Sequence, residues 1–275
     1  MRGATRHSRW AMIAITTLLA ADGLAAQANP NAPPPVIQIQ IESVRQGRGG
    51  PHQALEQQWS QTFRQSGAPV YWLGATTETG PSEAWYFTPM GGFGDIEKME
   101  KAVESSPGLG AASDVLAQAD GENVSEMRTV LARYRADLSM PGDMSVANGR
   151  YFNVITFRVR PGHEGDLAKA VALYKTVMTE AKSDANFVMY QVASGMPGPT
   201  FIGFGLMKSL SEMDPGADST AINKAMTADR MKSFDQLSAS GIISTTNIIL
   251  RFQPRMSTMP KEFTDQDPSF WNVRR

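Results

Sequence analysis

Three histidines, no cysteine and a set of aromatic residues interleaved with arginines are what this sequence of 275 residues offers to chemistry. His7 sits in an N-terminal leader, which leaves His52 and His163, each at the start of a helical pattern. A neutral imidazole there could ligate haem iron or act as a base near neutral pH. A polar side chain at an exposed helix start is the simpler reading and is the one adopted. His163-Glu164 stands alone, so the spacing proposes no metal site, and no cofactor is expected. Without cysteine there are no thiol nucleophiles, no thiolate-bound zinc and no iron–sulfur centres. No Gly-x-Ser-x-Gly occurs, and "ASG" at 193–195 and 239–241 has no base nearby in sequence. The loop "VRQGRGGPH" lacks the third glycine and the downstream acid of a dinucleotide fingerprint and reads as a flexible turn. "MGGFGD" at 90–95 reads the same way. The sixteen methionines read as gap-filling core and loop residues.

Trp59, Tyr71, Trp72, Trp85, Tyr86, Tyr134, Tyr151 and Tyr190 fall on predicted elements, among Arg128, Arg133, Arg158, Arg160 and Arg251. Aromatic walls with a few convergent polar groups describe a small-molecule pocket. They equally describe an ordinary core with arginines at its edge. Neighbouring strand residues point to opposite faces, so Tyr71 and Trp72 are divided between two environments, as are Trp85 and Tyr86. Arg158 lies on a strand otherwise rich in apolar residues, with Asn153 on the same strand. A guanidinium turned inward there would need a partner or an anionic ligand. The candidate ligand-binding set is Arg158, Asn153, Trp72, Trp85, Tyr134 and Arg251. No catalytic residue can be assigned.

The elements that must position these residues are written twice. Val44-Arg45-Gln46-Gly47 answers Val159-Arg160-Pro161-Gly162, 115 positions on. Apolar stripes follow at Leu55, Trp59, Phe63 and at Leu167, Val171, Tyr174, Met178, with helical spacing. Matching Leu55 to Leu167 gives an offset of 112 and assigns three extra residues to the first loop, "GRGGPH". Strand patterns at 70–77 and 187–194 lead to Gly-Pro turns at Gly80-Pro81 and Gly198-Pro199, then to strands at 83–88 and 201–207. Phe93 and Ile96 parallel Leu210 and Met213 at the opening of a second helical region. Final strands follow at 129–139 and 247–257. Each copy reads β-α-β-β-α-β, the ferredoxin-like unit, with two helices on one face of a four-stranded sheet. Strand 151–159 carries large apolar groups on both faces, so both faces should be covered. Two copies in one chain can cover each other's bare faces.

The element order, the strand–Arg-x-Gly–helix opening and the Phe/Leu-x-x-hydrophobic start of the second helix resemble the dimeric α/β-barrel superfamily over residues 36–139 and 151–257. That group includes antibiotic-biosynthesis-monooxygenase-like, stress-responsive and chlorite-dismutase-like haem proteins. The resemblance implies an α+β fold of two tandem ferredoxin-like repeats closing as a pseudo-dimer. It also implies an alternative function, a cofactor-free monooxygenase acting on phenolic or quinol substrates, in which Arg158 and a nearby tryptophan would orient an ionised phenol. Haem-binding relatives carry their proximal histidine in the helices of the second copy. Residues 164–275 contain no histidine, so haem binding ranks third. The first expectation is binding of a small apolar or aromatic molecule between the sheets, or a structural role.

Residues 1–28 read as a signal peptide: Arg2, Arg6 and Arg9, an apolar run from Trp10 to Ala21, and Ala26-Gln27-Ala28 as a cleavage site. The run is shorter than the roughly 20 residues of a membrane span. A soluble periplasmic or secreted protein is expected. "NPNAPPP" at 29–35 reads as a spacer, 140–150 as a linker between repeats, and 258–275 as a tail able to reach a neighbouring copy through Phe263, Phe270 and Trp271. The formal charge is −1, and losing the leader's three arginines and one aspartate makes it −3. No basic field is left to attract nucleic acid or anionic lipid.

Overall fold

The structure is a computed structural model and describes residues 32–272 apart from Asp143 and Pro215. The signal-peptide reading of residues 1–28 lies outside the described residues. The first repeat runs β1 (Val36–Val44), α1 (Gly49–Ser66), β2 (Leu73–Thr77), β3 (Glu83–Met90), α2 (Asp95–Glu104), α3 (Leu109–Asp120) and β4 (Val124–Tyr134). The second runs β5 (Tyr151–Val159), α4 (Glu164–Glu180), β6 (Val188–Ser194), β7 (Thr200–Met207), α5 (Ala217–Ala225), α6 (Ala228–Gly241) and β8 (Ile242–Phe252). Two short helices, α7 (Lys261–Thr264) and α8 (Pro268–Trp271), make the tail.

Both ferredoxin-like units are present, with the second helical region of each broken into two helices. Pro107 and Gly108, the latter at φ 75°, stand between α2 and α3. Proline cannot continue the intrahelical ladder, and a left-handed glycine ends it. The final strands begin and end about five residues earlier than predicted. The aromatic and aliphatic residues that marked them lie at the strand ends, while the first halves, "VSEMR" and "IISTT", mix polar and apolar residues and are mostly exposed.

The eight strands form one closed antiparallel barrel in the order β1-β3-β2-β8-β5-β7-β6-β4. Two sheets covering each other's faces were expected, and the structure also joins their edges. At one seam Ala75, Thr76 and Thr77 of β2 pair with Phe252, Arg251 and Leu250 of β8. At the other, Ala132, Arg133 and Tyr134 of β4 pair with Val192, Gln191 and Tyr190 of β6, after a bulge at Leu131/Ala132. Closure satisfies backbone groups that would otherwise stand free along each repeat's edges.

Strand alternation then sorts the side chains. In β1, Ile37, Ile39 and Ile41 enter the barrel core, while Gln38, Gln40 and Glu42 face outward. Phe87, Phe152, Phe204, Phe252 and Tyr190 form the centre of that core. Phe87, Phe152 and Phe204 meet pairwise with centroids 5.5–5.7 Å apart in tilted-to-perpendicular geometry, the arrangement that ring quadrupoles favour. The tail, expected to reach a neighbour, closes over its own barrel. Phe263 and Trp271 join the core, and the Trp271 indole donates to the Ala147 carbonyl at 2.7 Å. Met144 and Ala147 of the linker are buried beside them.

The β4–β6 seam depends on Gly195, at φ 91°, where a Cβ would lie 2.0 Å from the Thr129 carbonyl oxygen. Gly162, at φ 85°, has open space around it. Gly162→Ala should therefore cost only the left-handed backbone penalty, about 1–2 kcal/mol. Gly195→Ala should cost a further 1–3 kcal/mol or so, because the seam must also move apart. Denaturant unfolding of the two variants checks this, and equal losses would mean that the seam yields freely.

Candidate functional site

A chamber of about 320 Å³ opens at the barrel end where β1 and β2 begin and β3 finishes. Its inner wall is Ile37, Leu73, Phe87, Phe152, Val188, Tyr190 and Phe204. Its roof comes from outside the repeats: Pro33 and Pro34 of the spacer, Met144 and Val146 of the linker, and Met259, Pro260 and Phe263 of the tail. The barrel forms the cup, and the three segments between and beyond the repeats narrow its mouth.

Few polar groups face the chamber. The Tyr190 hydroxyl donates to the Pro34 carbonyl at 3.0 Å, tying the roof to the wall. Burial, then the adjacent Tyr134, pushes the Tyr190 phenol far above its ordinary range, so it stays neutral. Tyr71 is half-buried, and Glu262, exposed at the rim, is the one charged residue of the lining among the described residues. Among the described residues, no arginine, lysine or histidine lines it. The described lining is predominantly apolar.

The six residues singled out from the sequence are not brought together. Arg158 has the inward parity of Phe152 and Val154 but lies exposed at the end of β5, toward the opposite mouth of the barrel. Asn153 has the other parity, so it faces away from Arg158, and its Oδ1 is buried without a hydrogen-bond partner. Trp85 is in the barrel core, its indole donating to Glu83 Oε2 at 2.9 Å, with Arg128 3.6 Å from the same carboxylate. This group sits at the far end of the barrel from the chamber. Trp72 lies outside the barrel against Phe63 and donates to the Met256 carbonyl. Arg251, also outside, pairs with Glu78 at 2.6 Å and lies over Tyr151. Tyr134, the cross-strand neighbour of Tyr190 with the same inward parity, packs on it against the barrel core and does not line the chamber.

His163 behaves as expected, part-exposed at the start of α4 and bonded to Asp166 at 2.8 Å. His52 requires a correction. It is 2 % exposed, on the inner face of α1. Its Nδ1 lies 3.0 and 3.1 Å from the two Asp120 carboxylate oxygens, and its Nε2 lies 3.5 Å from Glu42 Oε2 and 3.4 Å from the Tyr86 hydroxyl. Glu56, one helical turn after His52, is buried beside them. Asn123 donates to Asp120 at 2.9 Å and Gln40 to Glu42 Oε1 at 2.6 Å. Burial raises the Glu42 carboxyl above the usual range. Burial, reinforced by the Glu42 charge, raises Glu56 to about 8. Burial pulls the His52 imidazole down, but the Asp120 bond and the surrounding carboxylates outweigh it, so its net shift is upward. The sequence signal was present as His52-x-x-x-Glu56, a helical i, i+4 pair. The stripe Leu55, Trp59, Phe63 points to a different face of the helix and masks that pair.

No protein-family profile matches the chain, and no curated protein matches it. Solved structures do resemble it. An anthrone oxidase-like protein superposes with a TM-score of 0.50 at 12% identity, covering 82% of this chain and 94% of its own. A candidate monooxygenase from Fusobacterium nucleatum gives 0.49 at 10% identity, over 80% of this chain and 93% of its own. Chlorite dismutase from Candidatus Nitrospira defluvii, as an imidazole complex, gives 0.46 at 10% identity, over 87% and 98%. At such identities the likeness is one of fold. With the eight-stranded closed order and the repeated β-α-β-β-α-β units, it shows that this chain has the dimeric α/β-barrel fold, with both halves supplied by one polypeptide.

Proposed function

We propose that the protein binds a small apolar or aromatic molecule in the chamber at the end of its barrel. The observation that carries this reading is the chamber itself: about 320 Å³ walled by Phe87, Phe152, Phe204, Val188 and Leu73 at the end of the barrel core. That volume lies at the lower end of what ligand pockets offer. Tyr71 and Glu262 at the rim supply the polar contacts that would orient a ligand. A hydroxyl or amine on the outer end of the guest can donate to them, with its rings packed on the phenylalanines. The signal-peptide-like pattern of residues 1–28 supports export to the cell envelope as the setting for this binding.

Val188→Phe tests the chamber directly. Added bulk in a filled core costs about 1–3 kcal/mol, whereas bulk that grows into open space costs little. The expected result is a midpoint of unfolding close to wild type, with at least tenfold weaker binding of 1-naphthol measured by quenching of the protein's intrinsic fluorescence. Unchanged binding would remove the chamber from consideration.

Cofactor-free oxygenation of phenols or quinols is the second reading, favoured by the shared fold with an anthrone oxidase-like protein. In that case the Tyr71 hydroxyl is the group placed to meet a substrate hydroxyl, and Arg158, at the opposite mouth, takes no part. Oxygen uptake with anthrone or a quinol should then fall in Tyr71→Phe and in Val188→Phe and stay unchanged in Arg158→Ala. Uptake that depends on Arg158 would move the site to the other end of the barrel. Haem binding has the least support, since no histidine lines the chamber and both described histidines lie outside the barrel.

A further inference from the structure

The two repeats differ in one layer, the space between the outer face of the sheet and the first helix. Strands β1 and β5 align at 115 residues, and so do α1 and α4, each starting directly after the residue at that offset, Arg48 and His163. His52 and Glu56 therefore stand where the second repeat has Leu167 and Val171, and Glu42 stands where it has Phe157. Phe63 and Met178, buried at the same offset, confirm the register. In the second repeat that layer is an ordinary apolar core of Val159, Leu167, Val171, Met189 and Phe201, with Phe157 against it. The fold does not demand polar groups here. The first repeat has placed three carboxylates, one imidazole and the Tyr86 phenol in the same space, all of them buried.

The internal bonding leaves one direction open. Asp120 takes both of its contacts at Nδ1 of His52 and is itself fixed by Asn123. That bond favours the tautomer with the proton on Nδ1 and leaves Nε2 facing Glu42 Oε2 at 3.5 Å and the Tyr86 hydroxyl at 3.4 Å, with a Glu56 carboxylate oxygen in the same cluster. A carboxylate behind a histidine in this way is the usual support of a metal-bound imidazole. Glu42 is 6 % exposed, and its Oε2, aimed into the cluster 3.5 Å from Nε2, accepts no hydrogen bond. A buried carboxylate oxygen left without a donor is costly, and three carboxylates around one imidazole need either bound protons or a cation to offset their charge. The four groups each offer a ligand atom within 4.8 Å of the others.

We propose that this cluster binds one first-row divalent cation, with His52 Nε2 and the carboxylates of Glu42 and Glu56 as ligands and Asp120 as the carboxylate that orients His52. One nitrogen with two or three carboxylate oxygens suits zinc or manganese better than a soft, thiolate-seeking ion. The site is closed on every side, which fits a structural cation tying β1, α1 and the end of α3 together.

The test uses the untagged full chain, stripped with a chelator, exposed to Zn²⁺ or to Mn²⁺, desalted and measured by elemental mass spectrometry, with calorimetry for affinity. The expected result is close to one equivalent per chain and a higher unfolding midpoint with metal bound. Glu42→Gln and Glu56→Gln should each weaken binding by about ten- to a hundredfold, while His163→Ala leaves it unchanged. Wild-type retention no greater than that of the Glu42→Gln/Glu56→Gln double variant overturns the proposal. If that double variant does not fold, a wild type that retains neither metal overturns it equally. A wild type indifferent to both metals, with a glutamine double variant that unfolds at a higher midpoint, would show instead a network held together by shared protons.

Discussion

Everything in this molecule depends on the pairing of sheet edges between the two repeats. A ferredoxin-like sheet has one face covered by its helices, one bare face and two edges of unpaired backbone. The β2–β8 and β4–β6 seams remove the edges, and curling the joined sheet into a barrel turns both bare faces inward. The seams are short: three residue pairs at one and four, with a bulge, at the other. They hold because the aromatic core spans them. Phe87 of the first repeat meets Phe152 and Phe204 of the second, so opening a seam would also wet those rings.

The chamber follows from the same geometry. An eight-stranded barrel has an interior just wide enough for side chains to fill or to hold one small ligand. Here the large residues gather at mid-barrel, and Trp85, Glu83 and Arg128 occupy the far end. At the near end the wall turns to Ile37, Leu73 and Val188, and the roof is made by chain segments that belong to neither repeat. Spacer, linker and tail thus act on a single place, although they are far apart in sequence. Their shared position explains why Phe263 and Trp271 are buried against the chain's own barrel rather than left to a partner.

Much of the architecture was legible because duplication makes weak signals count twice. A single Gly-Pro turn or Arg-x-Gly corner says little, but the same ones recurring in order establish the unit and its topology. The site was less legible, for two physical reasons. Alternation says which residues share a face but not how far along the barrel each one lies, so Arg158 and Phe152 share parity while sitting at opposite mouths. Helical amphipathicity assumes that the buried face is the apolar one. On α1 the fully buried positions are His52, Glu56, Ser60 and Phe63, and Leu55 and Trp59 lie to the side. Matching Leu55 to Leu167 therefore introduced a three-residue offset that the structure does not have. Holding the strand offset of 115 through the helix would have set His52 on Leu167 and exposed the anomaly.

That anomaly shows what duplication permits. With an ordinary apolar layer under α4, the second repeat gains hydrophobic stabilisation along its whole inner face. The first repeat gives up part of that layer and retains apolar packing only around it, through Phe63, Ala68, Val70 and Leu109 on one side and Ala84, Tyr86 and Met256 on the other. A lone ferredoxin-like unit would lose much of its core by such an exchange. Joined through two seams to a copy with an intact layer, it cannot come apart without also breaking the β2–β8 and β4–β6 pairings, so the barrel as a whole offsets part of the cost. A buried cluster of acids and one histidine can persist under those conditions, and whatever neutralises it becomes part of what holds the first repeat in shape.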